Sequence, residues 1–168
     1  YRVAPEPLAA LVTEAYEIGK RTKLDPTLIL AIIAIESSFN PFAQSSVGAQ
    51  GLMQVMTRVH TDKYEGFGGH LAAFDPVANL RVGVKVLQEC IARAGSLEGG
   101  LRYYVGAANL PNDGGYAAKV LAEHFRLRQV AGLPATVKPV LSTKAQAATE
   151  ATPAARPVAE KVALLGDT

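Results

Sequence analysis

The chain has no tryptophan and a single cysteine, Cys90. One thiol cannot close an intrachain disulfide, so no disulfide framework supports the fold, and cysteine usage does not report the compartment. Cys90 lies in the amphipathic run RVGVKVLQECIARA, where a small buried apolar role is expected. Neither sign of charge dominates: 17 Lys and Arg stand against 15 Asp and Glu, a net charge of +2. No block of Lys and Arg stands out, which excludes a nucleic-acid module with its basic patch or stripe. His60, His70 and His124 lack metal-ligand spacing with one another or with Cys90, and no phosphate-cradling glycine loop occurs. No metal and no organic cofactor is expected. No apolar run is long enough to span a membrane, and the chain opens on Tyr1 without a signal-peptide core, which reads as a processed or shortened chain.

Aromatic residues are also absent after Phe125. Residues 134–168 are built largely of Ala, Pro, Thr, Val and Lys, too little bulky apolar material to offset the entropy of ordering them. They are expected to form a low-complexity, mostly disordered tail or linker, in which Val158 to Leu165 offers a short helix as the alternative. Residues 1–133 are expected to form one domain, since 168 residues with 49% apolar content can bury one good core.

What is present within that domain is helical spacing. Apolar residues recur with helical period over Pro7 to Thr22, Pro26 to Ser37, Pro76 to Arg93, Leu97 to Ala107 and Tyr116 to Val130. No segment sustains period-two alternation, so an all-α fold is expected. Two glycine-rich stretches interrupt the pattern, Gly48 to Gly51 and Gly66 to Gly69. The first would let backbone come close to a ligand; the second reads as a connecting loop, with a substrate-contacting role as the alternative.

One carboxylate is out of place. Glu36 is the sole charged side chain from Pro26 to Phe39, a stretch otherwise reading PTLILAIIAI-SSF. Asp25 and Pro26 form an N-cap and first-turn pair that start the helix. Ile29, Ile32 and Ile33 then lead at helical spacing to Glu36, which puts its carboxyl on the core-facing stripe. Desolvation favours the protonated form of a carboxyl, the form a general acid needs. The alternative is a glutamate that leaves the helix end for solvent.

The residues that follow, ESSFNPFAQSSVGAQGLMQVM, carry two linked blocks: Glu36, Ser37, Phe39 and Pro41, then Ser45, Gly48, Ala49, Gly51, Leu52, Met53, Gln54, Val55 and Met56. This pattern resembles the signature of the lytic transglycosylases of the soluble-lytic-transglycosylase (SLT) type, in the lysozyme-like superfamily. The resemblance continues, more weakly, through Phe74-Asp75-Pro76, Asn79 and Gly83, then Tyr103 to Ala107, then Tyr116 to Val120. Val105 and Ala107 depart from the family's Asn and Gly, and Thr57 from its Pro. The match spans roughly Leu8 to Phe125.

The resemblance implies a lysozyme-like helical domain of the goose-type lysozyme kind, acting as a monomer on peptidoglycan glycan strands in the periplasm or cell envelope. A mild positive charge suits such an anionic polymer. It also implies cleavage of the β-1,4 bond between N-acetylmuramic acid and N-acetylglucosamine without water. Glu36 would protonate the leaving oxygen and then, as a base, help the C6 hydroxyl close a 1,6-anhydro ring. Most glycosidases use two carboxylates. Here Asp62 and Glu65 lie in a polar stretch and Asp75 reads as a helix cap, so Glu36 stands alone, which suits a reaction whose nucleophile belongs to the substrate.

By the same resemblance Ser45 and Gln54 would bond the glycan or orient Glu36, Gly51 would give close approach, Met56 would pack on a sugar face, and Tyr104 would donate toward Glu36 or the N-acetyl group. Their plain alternatives are a turn serine, a surface amide, a core filler and a core aromatic. Two other functions remain open: a hydrolytic muramidase, or a peptidoglycan-binding module without activity.

Overall fold

The computed structural model describes residues 5–134. The expected tail lies, apart from Pro134, outside the described residues, as does the helix considered for Val158 to Leu165.

The described residues form six α-helices: α1 (Pro5–Thr22), α2 (Pro26–Ser37), α3 (Thr61–Tyr64), α4 (Pro76–Ala94), α5 (Leu97–Tyr104) and α6 (Tyr116–Val130). Between α2 and α3 sits a two-residue antiparallel hairpin, β1 (Ala49–Gln50) on β2 (Val55–Met56), with Ala49 opposite Met56. Two 3₁₀ turns, Glu65–Phe67 and His70–Phe74, connect α3 to α4.

The centre of the fold is α2. Ile29, Ala31, Ile32 and Ile33 are fully buried, and Leu28 and Ala34 nearly so, because α1 and α6 both pack against this helix. A helix that is apolar on nearly every face belongs inside. Asp25 starts it: Oδ1 accepts from the backbone N–H (2.9 Å) and hydroxyl (2.7 Å) of Thr27. The other oxygen of Asp25 pairs with Arg128 of α6 and lies 3.4 Å from Nε2 of His124. Arg128 also donates to the Pro134 carbonyl through Nε and Nη2, which ties the end of the described chain to the base of α2.

Asp75 caps α4 as expected, accepting from the N–H of Ala78 at 2.7 Å. The expected run from Leu97 to Ala107 ends earlier. At Tyr104 the helix closes, with Gly106 at φ 80°, Gly106 N–H bonded to Tyr103 and Ala107 N–H to Arg102. These paired bonds satisfy the last carbonyls around a left-handed glycine and stop the helix. Val105 and Ala107, the departures from the family pattern, are buried at 3% and 4% exposure, so both are core residues. Cys90 is partly buried and packs against the core.

Candidate active site

Glu36 occupies the last turn of α2 and keeps 7% of its surface exposed. It does not leave the helix end for solvent. Its Oε1 accepts a 2.7 Å hydrogen bond from the hydroxyl of Tyr116, the first residue of α6. Tyr116 reaches that point because Asp113 caps α6: its two carboxylate oxygens accept from the N–H groups of Gly115 and Ala117. Burial pushes the Tyr116 phenol well above its ordinary range, and the nearby charge of Glu36 pushes it further. Tyr116 therefore remains a neutral donor throughout the pH range in which proteins work.

After Glu36 the backbone turns sharply. Ser38 and Phe39 both take left-handed conformations, at φ 50° and 66°, and Gln54 does the same at 47°. Non-glycine residues seldom hold such angles, and where they do the surroundings must over-determine them. Of the four such residues among those described, Ser38 and Phe39 directly follow the helix end that carries Glu36, and Gln54 closes the loop that begins at Gly51.

The loop from Gly51 to Gln54 is buried throughout. The amide nitrogen of Gln54 donates to the carbonyls of Ala43 and Gly51, both at 3.0 Å. At 2% exposure Gln54 is not a surface amide, and its amide nitrogen holds the Ala43 and Gly51 carbonyls together. Gly51 (φ 76°) also differs from expectation. A Cβ there would run into the Ala73 carbonyl and the side chain of Asn79, so the close approach is protein to protein. Gly83 on α4 is bare for a matching reason, since a Cβ would meet Met53. The motif around Gly51 and the motif from Asp75 to Gly83 thus form one packed unit.

Tyr104 is buried at 5% exposure, and its hydroxyl donates to the Met53 carbonyl at 2.8 Å. The donation that reaches Glu36 from Tyr116 adds a residue beyond Tyr104, for which donation toward Glu36 or the N-acetyl group had been anticipated. Burial raises the Tyr104 phenol well above its ordinary value too, with the charge of Glu36 adding to the effect. The Ser45 hydroxyl accepts from the N–H of Ala49 at 2.9 Å, which organises the turn into β1, and it keeps its own proton to donate. Met56 is partly exposed on β2, open to a ligand where Met53, at 0%, is not.

Asp62 and Glu65 are exposed, and Asp75 is occupied as a cap. Among the described residues no group of three or more His, Cys, Asp or Glu could hold a metal ion, and no helix is long and apolar enough to cross a membrane.

The site is therefore one buried carboxyl that accepts from the Tyr116 phenol, near Tyr104, which in turn bonds a strained loop braced from α4. A family model for the transglycosylase SLT domain matches residues 15–124, the span that contains every one of these parts. The chain belongs to the transglycosylase SLT domain family. Among similar proteins, a transglycosylase of Enterobacteria phage PRD1 is 38% identical over 102 residues, covering 58% of this chain and 37% of that protein. The type IV secretion system protein VirB1 of Brucella abortus biovar 1 (strain 9-941) is 28% identical over 150 residues, covering 69% and 61%. A membrane-bound lytic murein transglycosylase C of Mannheimia succiniciproducens is 40% identical over 79 residues, covering 42% and 22%. The chain thus spans less than two thirds of the length of each of these relatives. The structure of an inactive mutant of the lytic transglycosylase Slt from Pseudomonas aeruginosa superposes with a TM-score of 0.59 at 24% identity, covering 76% of this chain and 24% of that one. That likeness establishes the shared fold of this SLT domain.

Tyr116 is the site residue that sequence reasoning missed. Its signal was present, since Tyr116 opens the last motif of the family resemblance, but it stands 80 positions from Glu36. Only the packing of α6 on α2 brings the two together.

Proposed function

We propose that this SLT domain is a peptidoglycan lytic transglycosylase of the cell envelope in which Glu36 acts first as acid and then as base. The observation that carries the proposal is the hydrogen bond from Tyr116 to a carboxyl buried at the end of an otherwise apolar helix. It gives the single acid a defined orientation, as proton transfer requires.

In this reading Glu36 protonates the oxygen linking N-acetylmuramic acid to N-acetylglucosamine, and the bond from that oxygen to the muramoyl anomeric carbon breaks. The muramoyl N-acetyl group assists at the anomeric carbon. Glu36, now a carboxylate, accepts the proton of the C6 hydroxyl as that oxygen bonds to the anomeric carbon and closes the 1,6-anhydro ring. The nucleophile is tethered in the substrate, so an intramolecular step replaces a bimolecular encounter and no second carboxylate is needed to activate water. Ser45 and Met56 are the parts of the loop left to meet glycan, through a hydroxyl proton and an apolar side chain. Gln54, Gly51 and Tyr104 serve by shaping the loop.

Mass spectrometry of the soluble muropeptides tests this reading. Anhydro-muropeptides are expected, lighter by one water than the reducing-end products of a hydrolytic muramidase. Reducing ends as the sole product would move the assignment to hydrolysis. No soluble products from folded wild type would favour the inactive peptidoglycan-binding module instead.

A further inference from the structure

We infer that Asn79 on α4 is a positioning residue for this reaction, acting through the Gly51–Gln54 loop. The inference rests on the function proposed above. Asn79 is fully buried and spends its whole amide on one task. Its Oδ1 accepts the N–H of Met53 at 2.8 Å, and its Nδ2 donates to the Gln50 carbonyl at 2.9 Å and to the Tyr64 hydroxyl at 3.1 Å. Tyr64 is itself fully buried, and burial lifts its phenol above the ordinary range, so it stays neutral.

On the other side of Met53, the carbonyl accepts from Tyr104. Both peptide groups of Met53 are therefore held, the N–H from α4 and the C=O from α5. The next residue is Gln54, strained at φ 47°. Such a conformation persists only where neighbours enforce it, and the grip on Met53 is what precedes it in the chain. Gln54 in turn bonds the Ala43 carbonyl, in the turn that follows Glu36. Hydrogen bonds and one peptide link thus connect Asn79 through Met53 and Gln54 to Ala43, and the Met53 carbonyl is held by Tyr104, whose phenol lies near enough to feel the charge of Glu36. Gly51 is bare to admit Asn79, so the loop is shaped around this one side chain.

A buried amide that only stabilised the core would affect turnover through the folded fraction alone. A positioning residue changes kcat in fully folded protein, because small misplacements of groups around a reacting bond cost large factors in rate. The test compares Asn79→Asp, which keeps the shape but sets an oxygen against the Gln50 carbonyl, and Tyr64→Phe, which keeps the ring but removes the acceptor for Nδ2. Each is assayed on soluble glycan strands well below its own melting temperature, with Glu36→Gln alongside.

Asn79→Asp should lower kcat by on the order of tenfold or more, and Tyr64→Phe should lower it by a smaller factor, with KM held within about twofold for both. Wild-type kcat in folded Asn79→Asp, or a loss carried by KM alone, would overturn the inference. Should Asn79→Asp fail to fold, an unchanged kcat in Tyr64→Phe would overturn it. Full activity in Glu36→Gln would overturn the assignment of Glu36, a result distinct from either of these.

Discussion

Tyr116 gives its one proton to Glu36, and removing that proton leaves the ring and its packing in place. Tyr116→Phe should therefore lower the melting temperature modestly, as a buried carboxyl loses a donor, and in fully folded protein should lose turnover by roughly ten- to a hundredfold. Initial rates on purified peptidoglycan beside a thermal melt check this, and undiminished turnover would remove Tyr116 from the site. Glu36 was legible in the sequence because a lone charge in an apolar helix demands a reason. Tyr116 was not, because its partnership depends on how two distant helices pack. Gly51 was legible as a necessary residue, but spacing cannot tell whether a bare Cα faces a ligand or, as here, the side chain of Asn79.

At the scale of elements, the end of α2 carries a conformational cost that can be lifted. Ser38 is its C-cap, exposed and left-handed at φ 50°. Ser38→Gly should stabilise the fold by about 0.5–1 kcal/mol, since glycine takes that conformation without a Cβ penalty. A urea midpoint shift checks the sign, and a lower midpoint would contradict it. The five long helices were readable from period and caps, as Asp25 with Pro26 and Asp75 with Pro76 show. The hairpin was not, because two-residue strands are too short to display alternation. The early end of α5 was not either, because Gly106 reads as one small residue among others until its hydrogen bonds are seen.

At the scale of the whole molecule, the base of α2 joins three parts of the chain through Asp25, His124 and Arg128. His124 is held below its ordinary value of 6.5 by burial. The Asp25 carboxylate at 3.4 Å does not reverse this, because Arg128 already matches its charge. The native state thus binds a proton at His124 less readily than the unfolded chain does, so stability is complete above the ordinary value and falls as pH drops below it. Melting temperature should decline between about pH 7 and pH 5, and His124→Leu should flatten that decline. An unchanged slope in the variant would exclude His124 as its source. The assembled domain holds one buried carboxyl at the end of α2, and the decisive measurement is the release of soluble material from purified peptidoglycan by wild type and Glu36→Gln, both verified as folded. Release by wild type with none by Glu36→Gln is expected. Equal release by both would contradict the assignment of Glu36 as the acid and base of this domain.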